Sequence, residues 1–476
     1  MRKKLCLLPI ISLLIGIMAI SAGADVKPMS MFSSNAVFQR GIPIPVWGTA
    51  ADGEMVSVEF KDQLVTTKTR GGKWKVKLDP SDAGGPYTMT ITGKANNITL
   101  TNVMVGEVWA CGGQSNMAWW LREASTGKEA IAKSADPMLR LFDVPRVALD
   151  EPANDVQGTW KESTPDTAPD FSAVGYFFGR ELRKALNVPV GLINLNQGAT
   201  MAEAWMPVDV LKADPEYSKV FDIIWPKDQE ILRPTGLYNG MVAPVAGYPM
   251  RGVIWYQGES NAGQAYLYRR LFPAMIKVWR DKWGQGDFPF LFAQLAPFEF
   301  EAVSPDPKDS TWAELREAQL QTAENFKNTG MAVITDAGDP KDIHPKDKET
   351  VGKRLALIAQ GKVYHQRLEY YGPIYKSMKV RDGKAVISFT HIGKGLMAKD
   401  GALKGFAIAG EDRKFVWADA VIKGKTVVVS SPKVAKPVAV RYGWANNPEV
   451  NLFNVNGLPA SPFRTDDFQM LTSPKK

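Results

Sequence analysis

The sequence predicts an α/β protein built on a parallel sheet, with β-rich modules before and after it. Three observations carry that prediction. Short runs rich in Val, Trp, Tyr and Thr, punctuated by Gly, Pro and Asp, fill residues 26 to about 104. From about 105 the rhythm changes to apolar strand, polar loop and amphipathic helix, repeated several times. After about 376 short β runs return.

The elements follow in order. "PIPVWGTA", "EMVSVEF", "KWKVKL" and "PYTMTITG" are strands of a small N-terminal β-sandwich, separated by turns such as Asp52-Gly53 and Gly84-Gly85-Pro86. In the middle, 107–111, 190–195, 252–257, 289–295 and 331–336 read as buried strands. Residues 172–186, 266–283, 311–326 and 347–363 have helical periodicity, the last with Asp347 as N-cap. "KAVISF", "GFAIAG", "KTVVVS" and "PVAVRYG" form the second β module. The expected division is residues 1–24, 25–105, 106–375 for the α/β domain, 376–440 for the β-rich insertion, and 441–476 for a return to the α/β domain.

Residues 1–24 read as an export signal. Arg2, Lys3 and Lys4 precede an apolar stretch from Leu5 to Ile20, and Ala22-Gly23-Ala24 is a small-residue cleavage site. The expectation is an exported protein, periplasmic or secreted, with no membrane anchor, since no later stretch is long enough to span a bilayer. Removing the signal takes the formal net charge from +8 to +5. That balance, with no basic block, argues against nucleic-acid binding. Cys6 leaves with the signal, so the mature chain keeps only Cys111 and has no internal disulfide. The three histidines, His344, His365 and His391, have no metal-ligand spacing, so no metal and no cofactor is expected.

In a parallel sheet, chemistry gathers beyond the carboxyl ends of the strands. Four strand ends stand out. "VWACGGQSNMAWW" (108–120) places Ser115 where a strand turns into a helix. It does not match the G-x-S-x-G elbow, because Met117 stands at the second glycine, and taken alone Ser115 reads first as a helix N-cap. "NLNQGATMAEAW" (194–205) brings Gly198, whose N–H no side chain would shield; alone, it is a turn glycine. "WYQGESN" (255–261) closes an apolar strand with Gln257, an amide that could donate to an oxyanion. Glu259 and Asn261 beside it fit a solvated loop. "GDPKDIHPKD" (338–347) sets Asp342 two residues before His344, and Pro345 favours an extended conformation that puts both side chains on one face. An Asp that orients a His is half of a serine-hydrolase triad. Each feature alone has a bland reading; four of them on separate strand ends of one sheet do not share one.

These blocks resemble the sialate O-acetylesterase family, a carbohydrate-esterase branch of the SGNH (GDSL-like) hydrolases. The resemblance covers essentially all of the mature chain. "VGEVWACGGQSNMAW", "GLINLNQGATMAEAW", "GVIWYQGESNA" and "DIHPKDKETVGKRLA" resemble its catalytic blocks, and "MFSSNAVFQRGIPIPVWGTA" and "YGWANNPEVNLFNVNGLPASPFRTD" its two ends. The resemblance implies an SGNH-hydrolase, flavodoxin-like parallel sheet flanked by an N-terminal β-sandwich and a C-terminal β-rich insertion. It implies Ser115 as nucleophile, His344 as general base and Asp342 as its orienter. It also implies an oxyanion hole from the Ser115 and Gly198 N–H groups and the Gln257 side chain. Asn116, Glu259 and Trp205 are expected to contact the substrate. Two departures are visible: Cys111-Gly112 replaces the more usual Cys-Ser, and Gln197-Gly198-Ala199 replaces Trp-Gly-Gly. The expected activity is hydrolysis of O-acetyl esters of sialic acid. The alternatives are an acetylxylan or other glycan acetylesterase, an inactive sugar-binding relative, or a lipid or thioester hydrolase. Trp119, Trp120, Trp205, Trp255 and Trp444 suit either sugar stacking or the core.

Overall fold

The computed structural model describes residues 25–299, 304–306 and 310–474. The export signal expected at 1–24 lies outside them. The elements that position the functional site are, in chain order, β1 (Asn97–Gly113), α1 (Ser115–Ala118), β2 (Asp136–Asp143), α2 (Ala173–Leu186), β3 (Val190–Asn196), β4 (Gly252–Tyr256), α3 (Ala265–Trp283), β5 (Phe290–Ala293), α4 (Thr311–Asn325), β6 (Thr329–Ala332) and α5 (Lys348–Ile358). The six strands run parallel in the order β2-β3-β1-β4-β5-β6, and Lys161–Ser163 adds an antiparallel edge beside β2. The chain leaves β1, visits β2, returns through β3 to the flank of β1, then crosses to its other flank as β4. The strand order thus reverses around β1, and the crevice beyond its carboxyl end is where such sheets bind ligands.

The sheet is apolar on both faces, as two-sided burial requires. Successive side chains alternate between two cores. Val253, Trp255, Phe290 and Phe292 pack with Phe272, Met275 and Trp279 of α3 and Leu315 of α4. Ile254, Tyr256, Leu291 and Ala293 pack with Phe177, Phe178 and Leu182 of α2 and Val351 and Leu355 of α5. The helices therefore cover both faces in pairs. Ser172 caps α2 by accepting the Gly175 N–H, and Asp347 caps α5 by accepting the Thr350 N–H, as its position in the sequence predicts. β6 begins two residues earlier than expected and stops at Ala332. β2, "DPMLRLFD", has no counterpart in the sequence reading.

The N-terminal strands form two groups. Lys27–Pro28, Ile44–Thr49 and Lys73–Leu78 make a three-stranded sheet. Val37–Gln39, Met55–Phe60, Gln63–Lys68 and Gly84–Thr92 pair directly or in series with the first half of β1. β1 thus belongs to both regions, and the step from 105 to 106 falls inside one strand of 17 residues. After α5 the chain enters further β-rich sheets. One comprises Ile374–Arg381, Lys384–Thr390, Thr426–Ser430 and Asp419–Lys423; another comprises Phe415–Trp417, Phe406–Ala409, Ala439–Tyr442 and Phe463–Arg464. The buried guanidinium of Arg316 on α4 ties this region down, donating to the carbonyls of Leu295 and Ala296 and to those of Ala445 and Asn446.

Candidate active site

The Gly112-Gly113 pair lets β1 end in close contact with β4. Gly113 has φ +135°, and a Cβ there would fall 2.2 Å from the Tyr256 carbonyl oxygen. The strand turns directly into α1, whose N-cap is Gln114 and whose first residue is Ser115. Ser115 is therefore not the cap, and its hydroxyl is free of that duty. Its Oγ lies 2.8 Å from Nε2 of His344, 229 residues further along the chain.

His344 is held from three sides. Its backbone N–H donates to Asp342 Oδ1 at 2.8 Å, closing a tight turn rather than the extended segment that Pro345 suggests. The same carboxylate oxygen lies 3.6 Å from Nδ1, an ion-pair distance longer than a hydrogen bond. The indole of Trp119 stacks on the imidazole. Burial, then the charge of Lys348, pushes the His344 pKa below the usual imidazole value, against the pull of Asp342. A base kept neutral at lower pH can accept a proton from a hydroxyl.

Gly198 follows β3 and lies against the serine: a Cβ at Gly198 would sit 3.5 Å from the Ser115 Cβ. Its N–H has no acceptor among the described residues, and the Ser115 N–H, at the start of a helix, has none within the helix. Ala199 adopts φ +61°, the left-handed region that a glycine would enter without strain. Ser115, Gly198, Ala199, Gln114, Gln197, Glu259, Ile343 and His344 line a cleft of about 590 Å³, walled on the far side by Asp228, Gln229, Ile231 and Leu232.

Three expected residues are not in this cleft. Gln257 is fully buried, with both amide hydrogens engaged: Nε2 donates to the Thr200 carbonyl at 3.2 Å and to Asn261 Oδ1 at 2.7 Å, while Oε1 accepts the Tyr268 hydroxyl at 2.8 Å. It has no hydrogen left for an oxyanion. Its side chain turns into the core because Thr200, Asn261 and Tyr268 offer it a complete set of partners there. Trp205 is likewise core; its indole N–H donates to Thr200 Oγ1 and its ring packs edge-on to Trp255. Asn116 is buried behind Ser115. Its Nδ2 donates to Glu259 Oε1 at 2.6 Å and to the Ile343 carbonyl at 3.0 Å, and its Oδ1 accepts from Lys348 Nζ. Asn116 thus fastens the strand ends of β1 and β4 to the His344 loop. Glu259 does line the cleft, and burial raises its carboxyl pKa above the usual range.

Lys348 was not legible as part of the site. It opens α5 next to Asp347, where a lysine reads as a surface residue. Here it is wholly buried, its Nζ 5.4 Å from the Trp119 ring centre and 5.7 Å from that of Tyr256. Burial pushes its pKa down to about 7.

The family model described as carbohydrate esterase, sialic acid-specific acetylesterase, matches residues 105–360. The human sialate O-acetylesterase is 28% identical, with 93% of each chain aligned, and the mouse sialate O-acetylesterase is 28% identical over 95% of this chain and 97% of its own. A carbohydrate acetylesterase from Xanthomonas citri of known crystal structure superposes with a TM-score of 0.86, at 42% identity over 93% of this chain and 100% of that one.

Proposed function

The chain belongs to the sialic acid-specific acetylesterase family of carbohydrate esterases, and from that premise we propose that it is an exported serine esterase that releases acetate from O-acetylated sugars. The 2.8 Å approach of Ser115 Oγ to His344 Nε2 carries this reading. His344 takes the hydroxyl proton as Ser115 attacks the acetyl carbonyl. The negative charge that develops on the carbonyl oxygen is met by the N–H groups of Ser115 and Gly198. Collapse transfers the acetyl group to Ser115 as the bond to the sugar oxygen breaks, and His344 gives its proton to that oxygen, which leaves as a hydroxyl. Water deprotonated by His344 then attacks the acetyl-enzyme and frees acetate and Ser115. Asp342, already beside Nδ1, stabilises the imidazolium formed in each half-reaction. The parallel strand order around β1 supports an SGNH-type catalytic domain, and the composition of residues 1–24 supports export to the periplasm or the exterior.

The family and the mammalian relatives are named for sialic acid, which makes O-acetylated sialic acids the first substrates to test. One observation favours a second reading. Asp228 and Glu259 line the cleft, with no arginine or lysine among its described lining residues. A sialic acid brings a carboxylate of like charge, whereas a neutral acetylated glycan such as xylan brings none. Acetate release from a panel holding both substrate types tests the function and chooses between the sugars. Ser115→Ala should lower turnover roughly 10³-fold or more without loss of fold. A well-folded alanine variant of near-normal turnover would refute the serine mechanism.

A further inference from the structure

We infer that a small pocket beside the catalytic cleft is a second sugar subsite, which takes the neutral ring neighbouring the acetylated one. The inference rests on the glycan reading proposed above. The pocket holds about 280 Å³ beyond the carboxyl ends of β2 and β3, lined by Trp120, Asp143, Arg146, Asp170, Asn194 and Asn196. Small-molecule sites run from about 300 Å³ upward, so this one suits a single small ring. It adjoins the cleft because the same two segments wall both. Ser115 lines the cleft, and Trp120, just past α1, lines the pocket; Asn196 lines the pocket, and Gln197, Gly198 and Ala199 line the cleft. The Gln197 N–H donates to the Gly113 carbonyl at 3.1 Å, which locks the two segments side by side.

A chain of hydrogen bonds sets the polar groups of this pocket in place. Asn194 Nδ2 donates to Asp143 Oδ1 at 2.7 Å, and Asn196 Nδ2 donates to Asn194 Oδ1 at 2.6 Å. Arg146 closes the chain: its Nε and Nη2 donate to the carbonyl oxygen and Oδ1 of Asn196 at 3.2 and 3.3 Å. Both asparagines are buried, so this geometry is fixed before a ligand arrives. Arg146 itself is exposed and forms no salt bridge among the described residues, and its Nη1 hydrogens remain for a ligand. Asp143 supplies an acceptor through its second carboxylate oxygen. Trp120 is 38% exposed. Its backbone pairs with Ser172, and the Arg122 guanidinium lies 4.2 Å from its ring centre, so the indole is held as a fixed apolar face. Such a face flanked by donors and acceptors matches a sugar, which carries C–H groups on its faces and hydroxyls at its edge. The charges balance, because Arg122 pairs with Asp170 and Arg146 acts on Asp143. A neutral ring is therefore favoured over one that bears a carboxylate. The acyl transfer itself uses none of these residues.

Chain length is the variable that tests this. Acetate release is measured from O-acetylated xylose against O-acetylated xylotetraose, and from free O-acetylated sialic acid against the same sugar within a sialylated trisaccharide. A chromogenic acetyl ester, which carries no sugar, gives the reference rate. The expected result is a kcat/KM roughly 10-fold higher for the longer member of a pair. Trp120→Ala and Arg146→Ala should each remove that gain, and Trp120→Phe should keep much of it. The readout is the ratio of kcat/KM for the oligosaccharide to that for the chromogenic ester. A variant that only disturbs His344 through Trp119 lowers both and leaves the ratio where it was. Equal rates within both pairs, or a gain that survives Trp120→Ala, overturn the subsite and leave the esterase reading standing. A parent that hydrolyses no acetylated sugar overturns the proposed function and the subsite together.

Discussion

The imidazole of His344 lies nearly parallel to the indole of Trp119, with ring centroids 5.3 Å apart and planes 20° apart. Trp119 follows α1, four residues after Ser115, so the segment that presents the nucleophile also presents the surface on which its base rests. With Asp342 still 3.6 Å from Nδ1, this stacking fixes the plane of the ring and hence the direction of Nε2.

Replacing Trp119 should therefore act through geometry. Trp119→Ala is expected to lower kcat by about 10- to 100-fold, because small misplacements of a reacting group are expensive. Trp119→Phe should recover much of that loss. Equal losses in both variants would assign the effect to something other than a flat ring beneath His344.

The depressed pKa of His344 sets a pH window. Its conjugate acid loses its proton below the ordinary imidazole value of 6.5, owing first to burial and then to Lys348. The acid limb of kcat/KM should accordingly fall below pH 6.5. The charged groups facing His344 are Lys348 and Asp342, and Glu259 faces Lys348 in turn. Lys348→Met keeps the burial and removes the positive charge, so the limb should move upward. The same variant with an unmoved limb would leave burial as the sole cause.

Gln257→Ala is expected to be a stability variant. It deletes a buried amide that satisfies Thr200, Asn261 and Tyr268, and each group stranded in this way costs about 1–3 kcal/mol. Tm should drop while kcat of the folded fraction stays near the parent's. A drop of roughly 10²-fold in kcat at unchanged Tm would return Gln257 to the oxyanion hole.

A mechanism built on Ser115 and His344 asks nothing of a metal. Exhaustive chelation should leave acetyl-ester turnover intact. Activity lost to chelation and restored by zinc or calcium would show that the mechanism described is incomplete.

What the sequence disclosed depended on whether a residue's neighbours in the chain decide its fate. The strand ends at Ser115, Gly198 and His344 were legible because apolar runs must stop somewhere, and polar residues at the stops converge once the strands are parallel. The strand Asp136–Asp143 was missed because its apolar centre is short and flanked by Asp and Pro. Gln257 was placed wrongly because the direction in which an amide faces depends on side-chain torsions and on partners from other elements, here Thr200 and Tyr268. Lys348 was invisible for the same reason. Only the folded chain brings Asn116, Glu259, Trp119 and Tyr256 around it.

The 17-residue strand from Asn97 to Gly113 has a consequence for anyone who would take this molecule apart. Its first half is paired into the N-terminal β region and its last residue leads, through Gln114, to the nucleophile. A truncation made at the change of rhythm near residue 105 would sever that strand and expose hydrogen-bonding edges on both fragments, an invitation to aggregation. The two regions should melt in a single cooperative transition, and chimeras with related esterases should exchange them as one cassette.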